Sequence, residues 1–553
     1  MRTRFLAATL VLGLAAFPAA RGGAEEFRFV DVSAQAGLTA PTWGGGPAKD
    51  HILESVGTGV AVVDLDGDGL LDLYVVNAWR LTESPSAIAE RGRNRLYRNL
   101  GDWRFEEVPD AGGAADTSWG CGVCAGDWDG DGLVDLYVSN FGPNRLYRNL
   151  GGMRFEDVSE SAGVTDAGWG AGCAFLDGDG DGDLDLYVAN YLDCTVEEVL
   201  GARRTNRWRE RLDVMAGPFG MRGGRDVYYR NDGSHFTDAT VAAGLEDVAE
   251  AYGLGVLVSD LDDDGDPDLY VANDSNANYL YSNRGGGEFV ETGAWSGAGF
   301  SGEGVAQAGM GVDAGDFDGD LRFDLVVTNF ARDHCTLYHN EGDGFFEDVS
   351  GPWGLKEPTN ALLSWGCAFF DADLDADPDL LIVSGHIYPQ VAEEPELDES
   401  YAQPLLLLRN DGDRFADVSA AAGSGLGEFP SRGLALGDLD GDGDVDAVVS
   451  GMDVPPRLLR NDSERKGHWL EVRIRDAAGA PAIHARAEVT AGGRTQIGEV
   501  RSGSTYQSQS SFDMHFGLGD ASTVERLAVR WPDGSTRVLE NVAADRLVVV
   551  EPE

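Results

Sequence analysis

Positive charge is scarce in this sequence. Lys and Arg together number 42 of 553 residues against 95 Asp and Glu, which gives a formal net charge of −53 and a pI near 4.2. Because phosphate backbones and anionic lipid surfaces repel so acidic a chain, nucleic acid and charged membranes are excluded as general partners. Cations and neutral polymers fit this charge better.

Cysteine, proline and long apolar runs are also scarce. Six cysteines in a chain of this size do not form a disulfide framework. After the N-terminus, no run reaches the roughly 18 apolar residues that a membrane span needs, so we expect no membrane insertion. Only 20 prolines stand beside 76 glycines, which favours many short strands and tight turns over long helices.

The N-terminus has the pattern of a secretory signal peptide. Arg2 and Arg4 precede an apolar run over residues 5–17, and small residues lead to Ala24 ahead of two glutamates. This pattern predicts a cleaved signal peptide over residues 1–24 and a secreted or periplasmic protein without a membrane anchor. The alternative, an N-terminal anchor helix, is disfavoured because the apolar run is short.

Three phrases recur seven times along the chain. The first is an aspartate loop between two apolar strands, as in GVAVVDLDGDGLLDLYVVN over residues 59–77. The second has the form N-R-L-Y-R-N, and the third has the form F-x-D-V-S-x-x-A-G. The loops begin at Asp64, Asp127, Asp177, Asp260, Asp316, Asp371 and Asp438; the second phrases end at Asn99, Asn149, Asn231, Asn283, Asn340, Asn410 and Asn461; the third begin at Phe29, Phe105, Phe155, Phe236, Phe289, Phe346 and Phe415.

Each repeat therefore offers four short strands, named A to D. Strand A enters the aspartate loop, B leaves it, C is the L-Y-R-N strand and D is the F-x-D-V strand. Seven such units predict an all-β fold, a seven-bladed β-propeller over residues 25–462, with a small β-rich domain over residues 463–553. Because a D phrase at Phe29 precedes the first loop and none follows the last C strand, we expect the N-terminal strand to complete the last blade. A competing closure would use residues 468–474.

The aspartate loops have the spacing of a calcium site. Carboxylates at positions 1, 3, 5 and 9, with the backbone carbonyl of position 7, converge on one point, as the hard ligands of Ca²⁺ do. Up to seven mainly structural Ca²⁺ sites are expected, since solvated turns without metal would leave carboxylates repelling one another and Mg²⁺ prefers fewer of them. Leu321 and Ala376 replace the usual Gly at position 6, so these two loops depart from the motif. The expected ligands are Asp64, Asp66, Asp68, Leu70 and Asp72; Asp127, Asp129, Asp131, Leu133 and Asp135; Asp177, Asp179, Asp181, Asp183 and Asp185; Asp260, Asp262, Asp264, Asp266 and Asp268; Asp316, Asp318, Asp320, Arg322 and Asp324; Asp371, Asp373, Asp375, Asp377 and Asp379; Asp438, Asp440, Asp442, Asp444 and Asp446.

These motifs resemble a known combination of domains. The loops are similar to the calcium loops of FG-GAP (VCBS) repeats, which also build the propeller of integrin α subunits. The segments SGSTYQSQSSFDMHFGLGD, over residues 502–520, and VERLAVRWPDGSTRVLENV resemble the ASPIC/UnbV domain that follows FG-GAP repeats in the cartilage acidic protein-like family. The resemblance implies a bacterial-type secreted member with calcium binding and extracellular interactions, and no agreed reaction.

The resemblance also bears on the cysteines. In family members, a Cys in the third-blade insertion often pairs with the Cys of a Y-C-G-P segment. Here Cys194 is present, but the corresponding segment reads Met-Ala-Gly-Pro over residues 215–218. Its expected partner is therefore replaced. In predicted A strands near the channel, buried thiols are the expected state of Cys121, Cys124, Cys173 and Cys367. A bridge or a haem attachment within residues 121–124 is the alternative, although Ala125 stands where a haem motif needs His.

Three long B–C connections, over residues 78–92, 191–225 and 386–404, are expected on the face opposite the aspartate loops. Insertions at one topological position often form the binding face of a repeat protein. The candidates for binding an extracellular glycan or protein ligand there are Trp79, Arg203, Arg204, Arg207, Trp208, Arg209, Arg222, Arg225, His386 and Tyr388. The alternatives are that the arginines pair with the acidic residues of the third insertion, or that they are simply solvated.

No catalytic constellation is recognised. The sequence contains neither G-x-S-x-G nor H-E-x-x-H, and its eight histidines are scattered. We therefore predict a secreted calcium-binding propeller that acts as an extracellular binding, adhesion or scaffold protein rather than an enzyme. The alternatives are a calcium-dependent polysaccharide lyase or hydrolase, and an assembly component that docks through its C-terminal domain.

Overall fold

The computed structural model describes residues 27–82, 87–201, 203–246, 251–465 and 467–553. The predicted signal peptide, residues 1–24, lies outside these ranges. Within them, no helix is both long enough and apolar enough to cross a bilayer.

Within the described ranges, seven four-stranded antiparallel sheets contain the repeat strands, and each has the spatial order A-B-C-D. We number these sheets as blades 1 to 7 by their aspartate loops. The all-β fold class is confirmed. In chain order of the blades, the A, B and C strands are Val60–Val63, Asp72–Val75 and Arg95–Asn99; Trp119–Gly126, Asp135–Phe141 and Arg145–Asn149; Gly170–Leu176, Asp185–Asn190 and Val227–Asn231; Gly253–Ser259, Asp268–Asn273 and Tyr279–Asn283; Val312–Gly315, Asp324–Val327 and Thr336–Gly342; Ser364–Phe370, Asp379–Ser384 and Leu406–Asn410; Ser431–Gly437, Asp446–Gly451 and Arg457–Asn461.

The D strands are shorter and lie at the outer edge of each sheet. For blades 1 to 6 they are Phe105–Glu107, Phe155–Asp157, Phe236–Asp238, Phe289–Glu291, Phe345–Asp348 and Phe415–Asp417. The D strand of blade 7 is the N-terminal strand Phe29–Asp31, whose Phe29 lies opposite Asn461. The competing strand, His468–Ile474, belongs to a different sheet, so the alternative closure is wrong.

The A strands crowd together around the centre, which explains their many glycines. An added Cβ on Gly255 of blade 4 would lie 2.2 Å from the carbonyl oxygen of Met310, and one on Gly311 would lie 2.1 Å from that of Trp365. Backbones of successive blades therefore approach too closely for a side chain. Outward from these strands, apolar residues of neighbouring sheets share one buried layer, as Val60 and Val62 of blade 1 do with Ala435 and Val448 of blade 7.

Helices are few and short. Among the described residues, the α-helices are Ser33–Ala36, Ser159–Ala162, Val196–Gly201, Gly293–Ser296 and Lys356–Thr359. The 3₁₀ helices are Ile52–Ser55, Pro109–Gly113, Pro389–Glu393, Pro395–Leu397 and Ser424–Leu426. Two of the insertions also form hairpins, with strands Trp79–Leu81 and Ile88–Arg91 in the first, and Thr205–Trp208 and Leu212–Met215 in the second.

The C-terminal residues form two sheets. The three-stranded sheet has Met514–Gly519, His468–Ile474 and Arg546–Val550 in that spatial order. The four-stranded sheet has Arg494–Glu499, Arg486–Ala491, Thr523–Arg530 and Thr536–Ala543. Apolar side chains of both sheets, among them Leu470, Val489 and Leu527, are buried in a cluster that continues into blades 1 to 3. The C-terminal domain therefore shares its core with the propeller.

Candidate functional site

The ninth residue of each aspartate loop anchors the loop to its blade. In blade 1, Asp72 is fully buried, and its Oδ2 accepts the N–H of Leu65 while its Oδ1 accepts the N–H of Asn99. The same pair of bonds recurs in every other blade, at Asp135, Asp185, Asp268, Asp324, Asp379 and Asp446. This carboxylate thus joins the loop, strand B and strand C.

The first and fifth residues shape the turn. Asp64 accepts the N–H groups of Gly67 and Gly69, and Asp68 accepts the N–H of Leu70. Positive φ at position 6 is kept in every blade, including those where glycine is replaced: Leu321 has φ +71° and Ala376 has φ +74°. The two departures from the motif therefore preserve the loop conformation, at the strain that a side chain has in this region.

The carboxylates of a loop converge. In blades 1 and 2, one oxygen from each of positions 1, 3 and 9 lies within 4.8 Å of the others. Burial, reinforced by neighbouring carboxylates, raises the pKa of Asp72 to about 8 and that of Asp324 to about 9. Buried Oδ1 atoms at position 3, on Asp129, Asp179 and Asp440, have no hydrogen-bond partner among the described residues. Such a group favours a cation at its centre.

The C-strand asparagines connect successive loops, a role that sequence reasoning missed. The Nδ2 of Asn149 in blade 2 donates to the carbonyl of Val134 in its own loop and to that of Leu65 in the loop of blade 1. Every blade repeats this bridge, and Asn99 of blade 1 donates to Leu439 in the loop of blade 7. The asparagine that ends each second phrase was visible in the sequence. Its second acceptor could not be identified there, because that carbonyl lies in the neighbouring blade.

The residue before this asparagine also faces the loop. Arg98 lies 2.7 Å from Asp66, and Arg148 lies 2.6 Å from Asp129. In blade 5 the same position is His339, whose Nε2 lies 2.9 Å from Asp318. Strand C therefore supplies a local positive or hydrogen-bonding group to the carboxylates at position 3.

On the opposite face, the second and third insertions hold each other by paired charges. The buried carboxylate of Glu399 accepts bonds from the indole N–H of Trp208, at 2.7 Å, and from Arg209, at 3.1 Å. Arg211 pairs with Glu396. The pairing alternative raised from the sequence thus describes Arg209 and Arg211.

The other arginines of the second insertion lie at the surface. Arg203 pairs with Asp50, Arg207 with Asp213, Arg222 with Asp193 and Arg225 with Asp238, while Arg204 donates to the carbonyl of Phe219. Two adjoining cavities of about 410 and 710 Å³ lie beside this insertion, and Arg222 lines both. A ligand would therefore meet arginines that are already partnered but exposed.

Three of the candidate ligand-binding residues, Trp79, His386 and Tyr388, are buried, which corrects the expectation that they contact a ligand. Trp79 is 5% exposed and lies beneath the guanidinium of Arg91, 4.0 Å from the ring centre. His386 and Tyr388 are buried against Trp208. Because packing within the insertions occupies their faces, these rings support the rim from inside.

All six cysteines are unbridged thiols. Cys121, Cys124, Cys173, Cys335 and Cys367 are buried, and Cys194 is half-buried. Burial raises the pKa of Cys121 and Cys194 to about 12, which keeps both thiols protonated.

Two family descriptions match this chain. The family described as FG-GAP-like repeat matches residues 86–138, 127–188, 260–327 and 316–382, and the family described as ASPIC and UnbV matches residues 476–553. The chain is an FG-GAP repeat protein with a C-terminal ASPIC/UnbV domain. Cartilage acidic protein 1 of Homo sapiens is 28% identical over 309 residues, which are 53% of this chain and 43% of that protein. The same protein of Mus musculus is 27% identical over 308 residues, 53% of this chain and 44% of its own. The match thus spans less than half the length of these relatives.

Solved structures share the fold only distantly. A structure of BBS1N in complex with ARL6DN has a TM-score of 0.40 at 11% identity, covering 75% of this chain and 95% of its own. YCF48 bound to D1 peptide has a TM-score of 0.38 at 9% identity, covering 73% and 93%. A lectin of Agrocybe aegerita that recognises non-reducing terminal N-acetylglucosamine has a TM-score of 0.37 at 17% identity, covering 67% and 82%. These scores are too low to carry an argument about function.

The ASPIC/UnbV domain covers the loop face of the FG-GAP repeats. Arg486 bonds to Asp260 and Asp263 of the blade 4 loop, at 3.0 and 2.8 Å, and Arg494 pairs with Asp377 of blade 6. In blade 7 an added Cβ on Gly443 would lie 2.0 Å from the ring of Trp469. The domain thus supplies positively charged side chains to loops that lie far from it in sequence.

A segment of the ASPIC/UnbV domain, residues 502–511, enters the centre of the propeller. Its backbone bonds to A strands: Val62 and Val60 to Gln509, both at 2.9 Å, Val123 to Gln507 at 3.1 Å, and Val312 to Thr505 at 2.9 Å. Tyr506 is fully buried, and its ring centre lies 4.9 Å from that of Trp365 in blade 6. This run of small polar residues therefore fills the channel by bonding to backbone groups that a propeller otherwise leaves unpaired.

Proposed function

We propose that this chain is an exported calcium-binding propeller that acts as a binding or scaffold protein. The observation that carries the proposal is one aspartate-loop conformation that recurs in all seven blades, with three of its carboxylates converging in blades 1 to 3. Positions 1, 3, 5 and 9 would bind Ca²⁺ through side-chain oxygens, and position 7 through its carbonyl. Each ion would join strands A and B of its blade, and the asparagine bridge would carry that restraint to the next.

The donor set fits Ca²⁺ by its chemistry. Four carboxylates and a carbonyl supply the hard oxygen ligands that Ca²⁺ collects, whereas Mg²⁺ keeps several waters and takes fewer carboxylates. The pKa values raised by burial and mutual repulsion support a cation as the missing partner, because ionised carboxylates so close together are unfavourable without one.

Calorimetric titration of Ca²⁺ into chelator-treated residues 25–553 tests this proposal. We expect saturable binding with up to seven ions per chain. The double variant Asp129→Asn with Asp131→Asn should bind one ion fewer. Asp232→Asn is the matched control, because Asp232 lies outside the loops and pairs with Arg230. Titration without heat, or equal stoichiometry in the double variant, would refute the calcium assignment.

The binding surface is proposed on the rim beside the second insertion. The support is the pair of cavities there, whose linings include the exposed side chains of Arg204 and Arg222. Their mixed charges suit an extracellular glycan or a protein surface with polar groups. The proposed rim site uses none of the residues of the calcium loops, although both need the folded propeller.

A glycan array with polymer depletion, run with Ca²⁺ and with chelator, tests the rim. Calcium-dependent retention that Arg204→Gln with Arg222→Gln abolishes, and that exposed Arg546→Gln leaves intact, supports a binding site there. Released polymer products would replace the binding role with an enzyme. Retention that is equal in all variants would remove the rim from the proposal.

The export part of the proposal rests on the N-terminal sequence. N-terminal sequencing of the protein recovered outside the cytoplasm should begin at Glu25. Recovery of uncleaved chain in the cytoplasm would contradict it.

A further inference from the structure

Blade 5 carries a cluster of metal-ligating side chains on the face opposite the aspartate loops. Glu303 lies in the connection before strand A, His334 in the connection before strand C, and Asp348 at the end of strand D. One imidazole nitrogen and one carboxylate oxygen from each acid lie within 4.8 Å of one another.

Two other blades neutralise the corresponding D-strand acid with an arginine just before strand C. In blade 1, Arg93 lies 2.7 Å from Glu107, and in blade 3, Arg225 lies 3.0 Å from Asp238. Each of these arginines stands six residues before the C-strand asparagine. In these blades the negative charge of the acid is therefore neutralised by an arginine of the same blade.

Blade 5 replaces that guanidinium with an imidazole. His334 also stands six residues before its asparagine, Asn340, and faces Asp348 together with the second acid, Glu303. The substitution removes a permanent positive charge where the blade has gained a negative one. A neutral imidazole instead supplies a nitrogen lone pair that can bind a metal ion.

The imidazole is buried and has a nitrogen without a partner. His334 is 7% exposed, and its Nε2 has no hydrogen-bond partner among the described residues. Burial, with a smaller effect of nearby Lys356, lowers the pKa of His334, so the ring is neutral at physiological pH. The carbonyl of His334 accepts bonds from the side-chain amides of Gln307 and Asn329, which holds the residue in place.

The two acids differ in mobility. Asp348 is fixed by the N–H groups of Gly302, at 2.7 Å, and Ser350, at 3.0 Å. The side chain of Glu303 is 59% exposed and pairs with Lys356 at 2.7 Å. Lys356 thus supplies positive charge to the cluster, and Glu303 is free to rotate toward an ion because most of its side chain is in solvent.

We propose that Glu303, His334 and Asp348 bind a divalent transition-metal ion, with Zn²⁺ as the ion the donor set fits best. One imidazole nitrogen with two carboxylate oxygens suits Zn²⁺, whereas Ca²⁺ takes oxygen ligands alone. Ligand atoms around a tetrahedral Zn²⁺ lie about 3.3 Å apart, whereas these atoms lie within 4.8 Å of one another, so closure requires a shift of at most about 1.5 Å, which Glu303 can supply. The fourth position stays open to water or to a partner molecule.

Zn²⁺ titration of the calcium-saturated full chain tests the proposal. His339→Arg is introduced first, because His339 beside Asp318 could also bind Zn²⁺ and because blades 1 and 2 carry Arg there. In this background we expect one Zn²⁺ per chain, read by competition with a chromophoric chelator. His334→Gln and Glu303→Gln should each weaken binding by at least about 10-fold.

Two further variants make the test decisive. Lys356→Met should tighten Zn²⁺ binding, because it removes the amine that competes for Glu303. His235→Gln should leave binding unchanged, because His235 is exposed in blade 3. Glu303→Gln cannot fail through misfolding, since its side chain is mostly in solvent. No saturable Zn²⁺ binding, or equal binding after both His334→Gln and Glu303→Gln, would overturn the proposal.

Discussion

The two faces of the propeller handle charge differently. On the loop face each blade gathers four carboxylates, and strand C or the ASPIC/UnbV domain supplies only a few arginines, such as Arg98 and Arg486. On the insertion face, charges occur as pairs, such as Arg209 with Glu399 and Arg222 with Asp193. The loop face therefore concentrates negative charge, whereas these charges of the insertion face are paired with one another.

This difference indicates which face allows ions in solution to change the stability of the folded chain. A carboxylate cluster that lacks a cation stores repulsion, and any ion that binds it stabilises the folded chain by mass action. A one-to-one ion pair at the surface contributes little and responds only to salt. We therefore expect the loop face to control unfolding and the insertion face to affect it weakly.

Removing calcium should have the largest effect. Each site held at 100 times its Kd contributes about 2.7 kcal/mol, so stripping several sites should lower the Tm by at least about 10 °C. Differential scanning calorimetry in Ca²⁺, in Mg²⁺ and in chelator measures this shift. An identical Tm in Ca²⁺ and chelator would abolish the contrast between the faces.

Breaking one bridge between loops should come next. Asn231→Ala removes donors to Trp128 and Leu184 and leaves buried carbonyls unpaired, which should cost about 2–4 kcal/mol in the free energy of unfolding. Asn206→Ala, on the exposed hairpin of the second insertion, is the control and should change it by less than about 0.5 kcal/mol. Urea denaturation in Ca²⁺ compares the two; equal effects would show that the bridge is not important.

The pH dependence of the chelated protein sharpens the comparison. In the folded chain the pKa values are about 7 for Asp185, about 8 for Asp72 and about 9 for Asp324, all raised chiefly by burial from the ordinary 3.8. Between about pH 4 and the raised pKa of each group, the folded state binds more protons than the unfolded state. The free energy of unfolding is therefore greatest at about pH 4 and falls as pH rises to about 9. Urea midpoints at several pH values in chelator test this sign. Ca²⁺ should flatten the dependence, because it favours ionised carboxylates; a rising midpoint in chelator would contradict the charge argument.

The insertion face should give the smallest effects, graded by burial. Glu399→Gln weakens a buried acceptor of Trp208 and Arg209 and should cost about 1–3 kcal/mol. Glu396→Gln breaks only an exposed pair with Arg211 and should cost less than about 0.5 kcal/mol. Thermal unfolding of the two variants at low and high salt separates them. A large loss in Glu396→Gln would mean that surface pairing, and not packing, holds the insertions.

Much of the loop face could be predicted from residue spacing. Aspartates at every second position, from Asp64 to Asp68, act within one turn, so their convergence is a local property of the chain. The closing strand at Phe29 could also be predicted, because the order of repeated phrases leaves one D strand at the start and one place at the end. Burial of Trp79 and Tyr388 could not, since it depends on which insertion packs over which.

Sequence alone determined the repeats, the loop chemistry and the all-β class, because these follow from short periodic patterns of polar, apolar and glycine residues. Only the tertiary structure decided that Arg486 reaches the blade 4 loop, that residues 502–511 fill the channel and that Glu303, His334 and Asp348 meet. The physical reason is distance along the chain. Contacts between residues tens to hundreds of positions apart depend on how the blades stack around the centre, and no local pattern records that arrangement.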